Sequence, residues 1–335
     1  MLLRRVMPLA LVAAGGLGLT GCATGPQTQG LSESGRYSCG QLDIQLAEAE
    51  DSDLVGLEYL DRRVLLKPAP ADSGNLYVAP GDADTWFRAQ GERGTLSLQG
   101  ETLPECLEPG AVETHFSASG ADPSWSARID GRELDLEPPY KQEPLHGVRL
   151  TETASSRHGR TYEAEIGQQH LSLTTAPQLC EVGLDAVQYP AQVHLEFNGE
   201  VFQGCGGSRE RLFRGAEWVV EDLAGAGIID RSRITVEFLE ENRLAGRASC
   251  NRYGGAYQLT PEGVNFDRLF STMMACAPAL MNQERRFLEL LSHVNQATIG
   301  RNGELVLTTS AGEEITAFPS THSKRSNGVD NNENF

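Results

Sequence analysis

The chain has 335 residues, with 28 Lys plus Arg against 46 Asp plus Glu and a formal net charge of −18 at pH 7. So acidic a chain argues against nucleic acid as a partner, because such binding requires basic patches that neutralise phosphates. Hydrophobic residues make up 39% of the chain, which is enough for the cores of the two or three domains that this length predicts.

The N-terminus has the pattern of an exported protein. Two arginines precede an apolar run of about 14 residues, which is typical of a secretory signal over residues 1–21 and too short to span a membrane. The LTGC sequence at 19–22 resembles the bacterial lipobox, whose cysteine is lipidated and becomes the new N-terminus. The resemblance implies a lipid anchor on Cys22, and Ala23 after it implies sorting to the outer membrane, facing the periplasm. The alternative is a plain signal peptide with an incidental cysteine.

Residues 22–34 are rich in Gly, Gln, Ser and Thr, which predicts a flexible tether. Beyond them, six cysteines remain, and an even number in an oxidising compartment predicts disulfides. Pairing neighbours along the chain closes three loops that coincide with three blocks of different composition. The predicted bonds are Cys39–Cys106, Cys180–Cys205 and Cys250–Cys276. The alternative, a metal site, lacks CxxC or paired-histidine spacing, so we expect no metal.

Residues 35–109 form the first predicted module. It begins with Tyr37-x-Cys39, carries Ser73-Gly74-x-x-Tyr77, continues through Phe87, Gly91, Thr95 and Leu96, and closes at Cys106. These motifs resemble the family of membrane-bound C-type lysozyme inhibitors (MliC/PliC). The resemblance implies a small antiparallel β-barrel with C-type lysozyme as its partner.

By the same resemblance, the lysozyme-binding residues are Ser73, Gly74, Tyr77 and Gln90, with Ser73 supplying a hydroxyl group. The family has a lysine where this chain has Gln90, so the ion pair cannot form as the family makes it. Arg88 or Arg93 are candidates to replace that charge, although neither has the register of the lysine. The alternative for Ser73-Gly74 is an ordinary turn.

Residues 112–207 form the second predicted module, with hairpins at Asp130-Gly131, predicted as a type I′ turn, and at Asn198-Gly199. The module resembles a family of uncharacterised periplasmic and lipoprotein domains, from which no biochemical role follows. The residues that fit this pattern are Phe116, Gly120, Pro123, Trp125, Cys180, Tyr189, Pro190, Gly204 and Cys205. Trp125 is expected to anchor the core.

Residues 214–318 form the third predicted module. Its motifs resemble the META/HslJ domain, a small α+β domain of exported bacterial proteins that is linked to heat stress and antibiotic tolerance. They include Trp218, Gly246, Cys250, Asn251, Tyr253, Gly255, Tyr257, Thr272, Met274, Ala275, Cys276, Glu284 and Phe287.

Within this module we expect Asn251 and Gly255 to shape a turn. Apolar spacing predicts one helix, roughly Met281 to Val294, and Asn302-Gly303 predicts a further hairpin. Residues 320–335 have almost no apolar side chains, which predicts a disordered tail.

The chain has none of the common hydrolase, zinc-protease, Walker or EF-hand motifs, so we expect no catalytic residues, no cofactor and no enzymatic activity. The expected fold is mainly β, a small antiparallel β-barrel followed by two disulfide-stapled β-rich domains, with an α+β C-terminal module. The expected function is envelope stress defence by an outer-membrane lipoprotein that binds and inhibits C-type lysozyme. The alternatives are a META/HslJ-type binding protein of the envelope without lysozyme inhibition, and a hydrolase whose triad assembles only in space.

Overall fold

A computed structural model describes residues 35–48, 53–182 and 187–320, all of which belong to one compact unit. The predicted signal peptide, the lipidation site Cys22, the tether 22–34 and the tail beyond Ser320 lie outside the described residues. Among the described residues, no helix is both long and apolar enough to cross a membrane. The fold is mainly β, as the sequence predicts, with three large antiparallel sheets and one α-helix.

The first sheet closes into a barrel, because Arg93–Leu98, near one end of the strand order, also pairs with Asp82–Gln90 at the other end. Its order is β6-β5-β4-β3-β2-β1-β9-β7-β8, and an additional β6–β7 pairing joins the two sides. Thr85, Phe87 and Ala89 alternate into the interior along β6, as a half-buried strand requires. The strands are β1 Arg36–Cys39, β2 Leu42–Glu48, β3 Val55–Tyr59, β4 Arg62–Ala69, β5 Asn75–Ala79, β6 Asp82–Gln90, β7 Arg93–Leu98, β8 Glu101–Thr102 and β9 Cys106–Leu107.

The second sheet has the order β13-β12-β11-β10-β20-β19-β16-β15-β14, so its two edge strands follow each other in the chain. Trp125 is buried in its core, with its indole N–H directed to the carbonyl of Gln203 at 3.3 Å. The strands are β10 His115–Ala121, β11 Ser124–Asp130, β12 Glu133–Glu137, β13 Leu145–Arg149, β14 Thr151–Ser156, β15 Gly159–Ile166, β16 Gln169–Ala176, β19 Ala191–Phe197 and β20 Glu200–Gly206. A separate ribbon pairs β17 Cys180–Val182 with β18 Val187–Tyr189.

The third sheet, in the order β25-β24-β23-β22-β21-β28-β27-β26, packs against the helix α1 Pro278–Ser292. Trp218, Phe213 and Phe287 are fully buried there, and the Trp218 indole N–H donates to the Phe213 carbonyl at 2.7 Å. The strands are β21 Trp218–Leu223, β22 Thr235–Phe238, β23 Arg243–Ala248, β24 Asn251–Thr260, β25 Gly263–Ser271, β26 Val294–Ile299, β27 Leu305–Thr309 and β28 Glu314–Pro319.

All three predicted hairpins are present, but their turns differ. Asn198 and Gly199 both have positive φ and form a two-residue turn, which is the type I′ pattern. The first hairpin is shifted by one residue, because Asp130 pairs with Glu133. Gly131 is then the first central residue and the position of positive φ, which is the type II′ pattern instead of the predicted I′. The third hairpin has a longer loop, since Ile299 pairs with Leu305.

Two element boundaries also differ from those predicted. The helix begins earlier, with Pro278 in its first turn, and ends at Ser292, while Val294 opens the next strand. Proline favours this start because its missing N–H would have no helical partner there. Ser320, which the sequence assigns to the tail, still donates its N–H to the Glu217 carbonyl at 2.8 Å.

Three arginines between the second and third sheets form the arginine junction, defined as Arg209, Arg211 and Arg214, and all three are buried. Arg211 donates to the main-chain carbonyls of Glu105 and Ser38 in the first module, the latter at 2.9 Å. Arg214 donates to the carbonyl of Thr102.

Arg209 is directed the other way, to the carbonyls of Thr260 and Gly263 in the third sheet. The junction therefore connects the first and third sheets through bonds from arginine side chains to main-chain carbonyls of both sheets.

Side-chain pairs reinforce these contacts. Glu101 of β8 forms an ion pair with Arg243 of β23 at 2.7 Å. The amide of Gln188 in β18 both donates to and accepts from the main chain of Ile299 in β26, at 3.2 and 2.6 Å. Polar bonds of this kind favour one relative orientation of the sheets, because a hydrogen bond weakens steeply when its distance or angle changes.

Candidate functional site

The candidate site lies at one end of the barrel, where the β4–β5 connection meets the end of β6. Gly74 has φ of 66°, and a Cβ atom there would lie 2.3 Å from the carbonyl oxygen of Ala89. Only glycine tolerates both the left-handed backbone and this close approach. Gly74 thereby seats the loop against β6 and sets the position of Ser73.

Ser73 and Gln90 come together on the surface, as the motifs predict. Both side chains are exposed, and the Gln90 Nε2 amide is 3.5 Å from the Ser73 Oγ. That distance is long for a hydrogen bond, so both groups keep most of their capacity for a third partner. The pair offers one hydroxyl and one amide to an incoming surface.

Tyr77, which the sequence predicts to bind lysozyme, is instead part of the barrel core. Its side chain is only 8% exposed, in the register row that joins Pro68, Tyr77 and Phe87. Burial, with a smaller effect from the Glu48 carboxylate, raises the pKa of the Tyr77 hydroxyl. The structure therefore places the Tyr77 side chain in the barrel core and leaves little of it exposed to a partner.

Neither candidate cation replaces the missing lysine in this conformation. The Arg88 guanidinium lies over the Trp86 ring, 5.7 Å from its centroid, and Arg93 donates from Nε to the Val112 carbonyl at 2.6 Å. Among the described residues, neither arginine has a hydrogen bond to Ser73 or Gln90. The site as it stands is polar and uncharged.

The turn that follows Gln90 is fixed by contacts from both sides. The Tyr37 hydroxyl donates to the Gly91 carbonyl at 3.3 Å, and Glu92 accepts from Arg160 Nη2 at 2.7 Å. The Arg160 side chain, on β15 of the second sheet, is only 3% exposed. The second module thus holds the site of the first, a role for Arg160 that no local sequence signal predicts because 68 residues separate it from Glu92.

Each of the three disulfides joins two cysteines of the same predicted module. Cys39 joins Cys106, Cys180 joins Cys205 and Cys250 joins Cys276. The first of these bonds connects β1 to β9 inside the barrel core. This bond therefore stabilises the barrel on which the candidate site lies.

A second exposed feature lies on the third sheet, at the end of β25 and in the loop that follows it before α1. Phe270 is 68% exposed, Met273 99% and Met274 56%. The loop is held from inside by Asn251, whose Oδ1 accepts from the Thr272 hydroxyl at 2.8 Å and from the Met274 N–H at 2.7 Å.

The Asn251 amide in turn donates to both oxygens of Glu284 on α1, each at 3.1 Å. Asn251 therefore links a strand, a loop and the helix, rather than shaping a simple turn as the sequence suggested. Gly255, the other residue predicted in that turn, lies within β24.

The chemistry available at Ser73 is that of binding. Its hydrogen-bond partner among the described residues is the Gln90 amide, which cannot accept a proton as a histidine or carboxylate would. The hydroxyl can donate to a carboxylate and the amide can donate beside it. The arrangement is suited to filling an acidic cleft.

Comparison with known proteins identifies two domains in the chain. Residues 37–104 match the model of the family described as membrane-bound lysozyme-inhibitor of c-type lysozyme, and residues 211–322 match that of the META domain. No curated protein matches the chain.

Two solved structures are similar to about a third of the chain. One is an NMR structure of a protein from Burkholderia xenovorans, 23% identical, which covers 33% of this chain and 86% of its own, with a TM-score of 0.29. The other, also an NMR structure, is 25% identical, covers 32% of this chain and 91% of its own, and has a TM-score of 0.28.

Proposed function

We propose, on the premise that this chain carries a lysozyme-inhibitor domain and a META domain, that it binds and inhibits C-type lysozyme through its first module. The observation that carries the proposal is the exposed pair of Ser73 and Gln90 on a loop fixed by Gly74 and by the Glu92–Arg160 bond. The family match over residues 37–104 supports the class of partner.

The proposal has a simple chemical basis in the target. Lysozyme works with two carboxyl groups, one acting as general acid and one remaining ionised. The Ser73 hydroxyl would donate to one of them and the Gln90 amide to the other, so that the loop fills the cleft. Residues 31–110 hold fifteen Asp plus Glu and six Lys plus Arg, a net charge of −9, which favours encounter with a basic lysozyme.

Replacing Gln90→Lys should tighten the inhibition constant for C-type lysozyme about two- to thirty-fold, since a charge-assisted bond to a carboxylate replaces a neutral one. Ser73→Ala should weaken inhibition in both backgrounds, because the hydroxyl donor is lost. The measurement is the inhibition constant of purified mature protein in a turbidity assay of cell-wall lysis. The gain from lysine should shrink at moderate salt, where ions screen the new charge.

Gln99→Lys is the matched control, because Gln99 is an exposed glutamine of the same module in the β7–β8 turn. It makes the same change of net charge away from the site and should leave the inhibition constant unchanged. If Gln90→Lys and Gln99→Lys behave alike and Ser73→Ala has no effect, insertion of this loop into the cleft is wrong.

We further propose that the protein is held at the outer membrane by lipid on Cys22 and faces the periplasm. Acyl chains on one cysteine contribute about 0.8 kcal/mol per buried methylene, so two or three chains anchor firmly. Wild-type protein should incorporate labelled palmitate and need detergent for extraction, while Cys22→Ser should not be labelled. Unlabelled wild-type protein that is released by a salt wash would contradict the anchor.

A second candidate function, binding of an envelope component by the META domain without lysozyme inhibition, is favoured by one observation. The exposed apolar loop with Phe270, Met273 and Met274 is held rigidly by Asn251, and exposed apolar surface is a common mark of a partner site. Lysozyme inhibition that survives Met273→Ser but is lost in Ser73→Ala assigns the inhibition to the first module. Wild-type protein that does not inhibit lysozyme at all favours the second candidate.

A further inference from the structure

The exposed apolar loop of the third module combines three large side chains with an uncharged stretch of sequence. Phe270 is 68% exposed, Met273 99% and Met274 56%. Residues 269–283 include no Asp, Glu, Lys or Arg, although 22% of the chain is charged. A side chain as exposed as that of Met273 stands clear of the protein surface. We call Phe270, Met273 and Met274 the apolar tip.

Two arginines form a pair beside the apolar tip. Arg247 of β23 and Arg252 of β24 are directly opposite each other in the strand register, and both are exposed. Residues opposite each other in an antiparallel pair project from the same face, where two like charges are unfavourable. Among the described residues, neither guanidinium group forms an ion pair or a hydrogen bond. The pair therefore presents two cations without an anion.

Main-chain contacts place the arginine pair and the apolar tip on one face. The Thr272 N–H donates to the Arg252 carbonyl at 2.9 Å, and the Arg252 N–H donates to the Thr272 hydroxyl at 3.2 Å. Phe270 is opposite Gly254, which is two residues from Arg252 and so on the same face of β24. A Cβ atom at Gly254 would lie 2.7 Å from the Phe270 ring. The ring therefore lies across β24 next to the arginine pair.

The apolar tip is also held from inside the module. Asn251 accepts from the Thr272 hydroxyl and the Met274 N–H, and the Cys250–Cys276 disulfide joins the loop to the turn before β24. A partner meets a surface that is already ordered, which reduces the entropy cost of binding.

We propose that this face of the third module binds an anionic lipid surface. The apolar tip enters the boundary between head groups and acyl chains. Arg247 and Arg252 donate to lipid phosphates, whose geometry matches the planar guanidinium group. The anionic surface also offsets the repulsion between the two arginines. A lipid layer admits a protruding side chain at any point, whereas a protein partner must offer a matching pocket.

The acidity of the whole chain opposes this contact only weakly. At physiological ionic strength, charges farther than about 8 Å from the lipid are largely screened. Asp267, the acidic residue that precedes the apolar tip in the chain, forms an ion pair with Arg268 at 2.8 Å. The inference rests on the second candidate function in that it gives the same loop a partner. It does not depend on lysozyme inhibition or on lipid at Cys22.

The test measures cosedimentation of the protein with phosphatidylcholine vesicles that contain or lack phosphatidylglycerol. The protein is the chain from Leu31 onward, which retains the whole compact unit and carries no lipid. We expect binding to the anionic vesicles that weakens as salt is added, and little binding to the neutral ones.

Variants then locate the contact. Arg247→Gln/Arg252→Gln should weaken binding to the anionic vesicles about thirtyfold, at about fivefold for each arginine. Met273→Ser should weaken binding about tenfold and keep its dependence on salt, because it removes apolar contact and no charge.

Matched variants on the second sheet exclude general effects of charge and hydrophobicity. Arg128→Gln/Arg149→Gln makes the same change of net charge at exposed positions. Val201→Ser removes an apolar side chain that is 65% exposed. Neither variant should change vesicle binding.

Fluorescence measures insertion of the apolar tip directly. After the wild-type signal is subtracted, the emission of Met273→Trp should be quenched by lipids brominated on their acyl chains, whereas that of Val201→Trp should not. The proposal is overturned if anionic and neutral vesicles bind alike, if neither binds, if Arg247→Gln/Arg252→Gln binds like the wild type, or if Met273→Trp is not quenched. A chain that inhibits lysozyme but binds no vesicles overturns this inference alone, and one that binds vesicles without inhibiting lysozyme contradicts only the inhibition.

Discussion

Replacing Asn251→Ala is expected to lower the free energy of unfolding by about 2–4 kcal/mol, because the buried Glu284 carboxylate loses the side-chain amide of Asn251 and keeps the main-chain N–H of that residue as a donor. Asn251 and Glu284 are both buried, and the alanine removes the amide that donates to both carboxylate oxygens. It also leaves the Met274 N–H and the Thr272 hydroxyl without their acceptor. Each of these losses adds the cost of an unsatisfied polar group.

Urea denaturation measures this effect as a shift in midpoint at constant slope. Asn265→Ala is the matched control, because Asn265 is an exposed asparagine on β25, and its change should stay within about 0.5 kcal/mol. The double variant Asn251→Leu/Glu284→Leu should recover part of the loss, because both partners are removed together. A midpoint of Asn251→Ala within error of Asn265→Ala would refute the role given to this network.

The second large effect is expected for Arg211→Met, which should cost about 3–5 kcal/mol and separate the unfolding of the first and third sheets. Methionine keeps the apolar stem but leaves the carbonyls of Ser38 and Glu105 without their donor. It also leaves Glu113 without the cation that offsets its burial. Arg214 with the Thr102 carbonyl and Arg243 with Glu101 are the contacts that remain, and we expect them to hold the two sheets together less strongly than in the wild type.

The three tryptophans of the chain allow this to be observed, because Trp86, Trp125 and Trp218 lie in the first, second and third sheets respectively. Variants that keep only Trp86 or only Trp218, with phenylalanine at the other two tryptophan positions, report the unfolding of the first and the third sheet separately. We expect coincident fluorescence transitions with Arg211 present and distinct ones in Arg211→Met. Arg301→Met, at an exposed loop position, should leave them coincident. Coincident transitions in Arg211→Met would contradict the coupling.

The sequence predicts those features of the fold that depend on local patterns. The order of the cysteines indicated their pairing because each bond stays within one module, and Asn-Gly indicated the type I′ turn at 198–199 because both residues tolerate positive φ. The sequence predicted Asp130 and Gly131 as the central residues of the first turn, whereas in the structure they are Gly131 and Arg132. Both pairs can form a tight turn, and the cross-strand register decides between them. Val294 fits a helical stripe but belongs to a strand, because three apolar positions do not fix where a helix ends.

The candidate site was predictable only in part, for a related reason. Ser73 and Gln90 follow from motif spacing, while the burial of Tyr77 follows from the barrel register, which the motif does not contain. Arg160, Arg211 and Gln188 have partners 68 to 173 residues away. A buried arginine and an exposed one look the same in a sequence, so these contacts appear only with the assembled sheets.

The arginine junction also determines how long some main-chain carbonyls wait for their bonding partners during synthesis of the chain. The carbonyls of Ser38, Thr102 and Glu105 are synthesised 173, 112 and 106 residues before the arginines that bind them. At about 5–20 residues per second, the shortest of these waits is on the order of ten seconds. Water occupies the carbonyls meanwhile, and the barrel is kept closed by its own ladder of strands. A nascent chain that stops before residue 209 therefore has a barrel that the second module already contacts through Arg160, while the carbonyls of Ser38, Thr102 and Glu105 still lack the arginines that bind them in the complete chain.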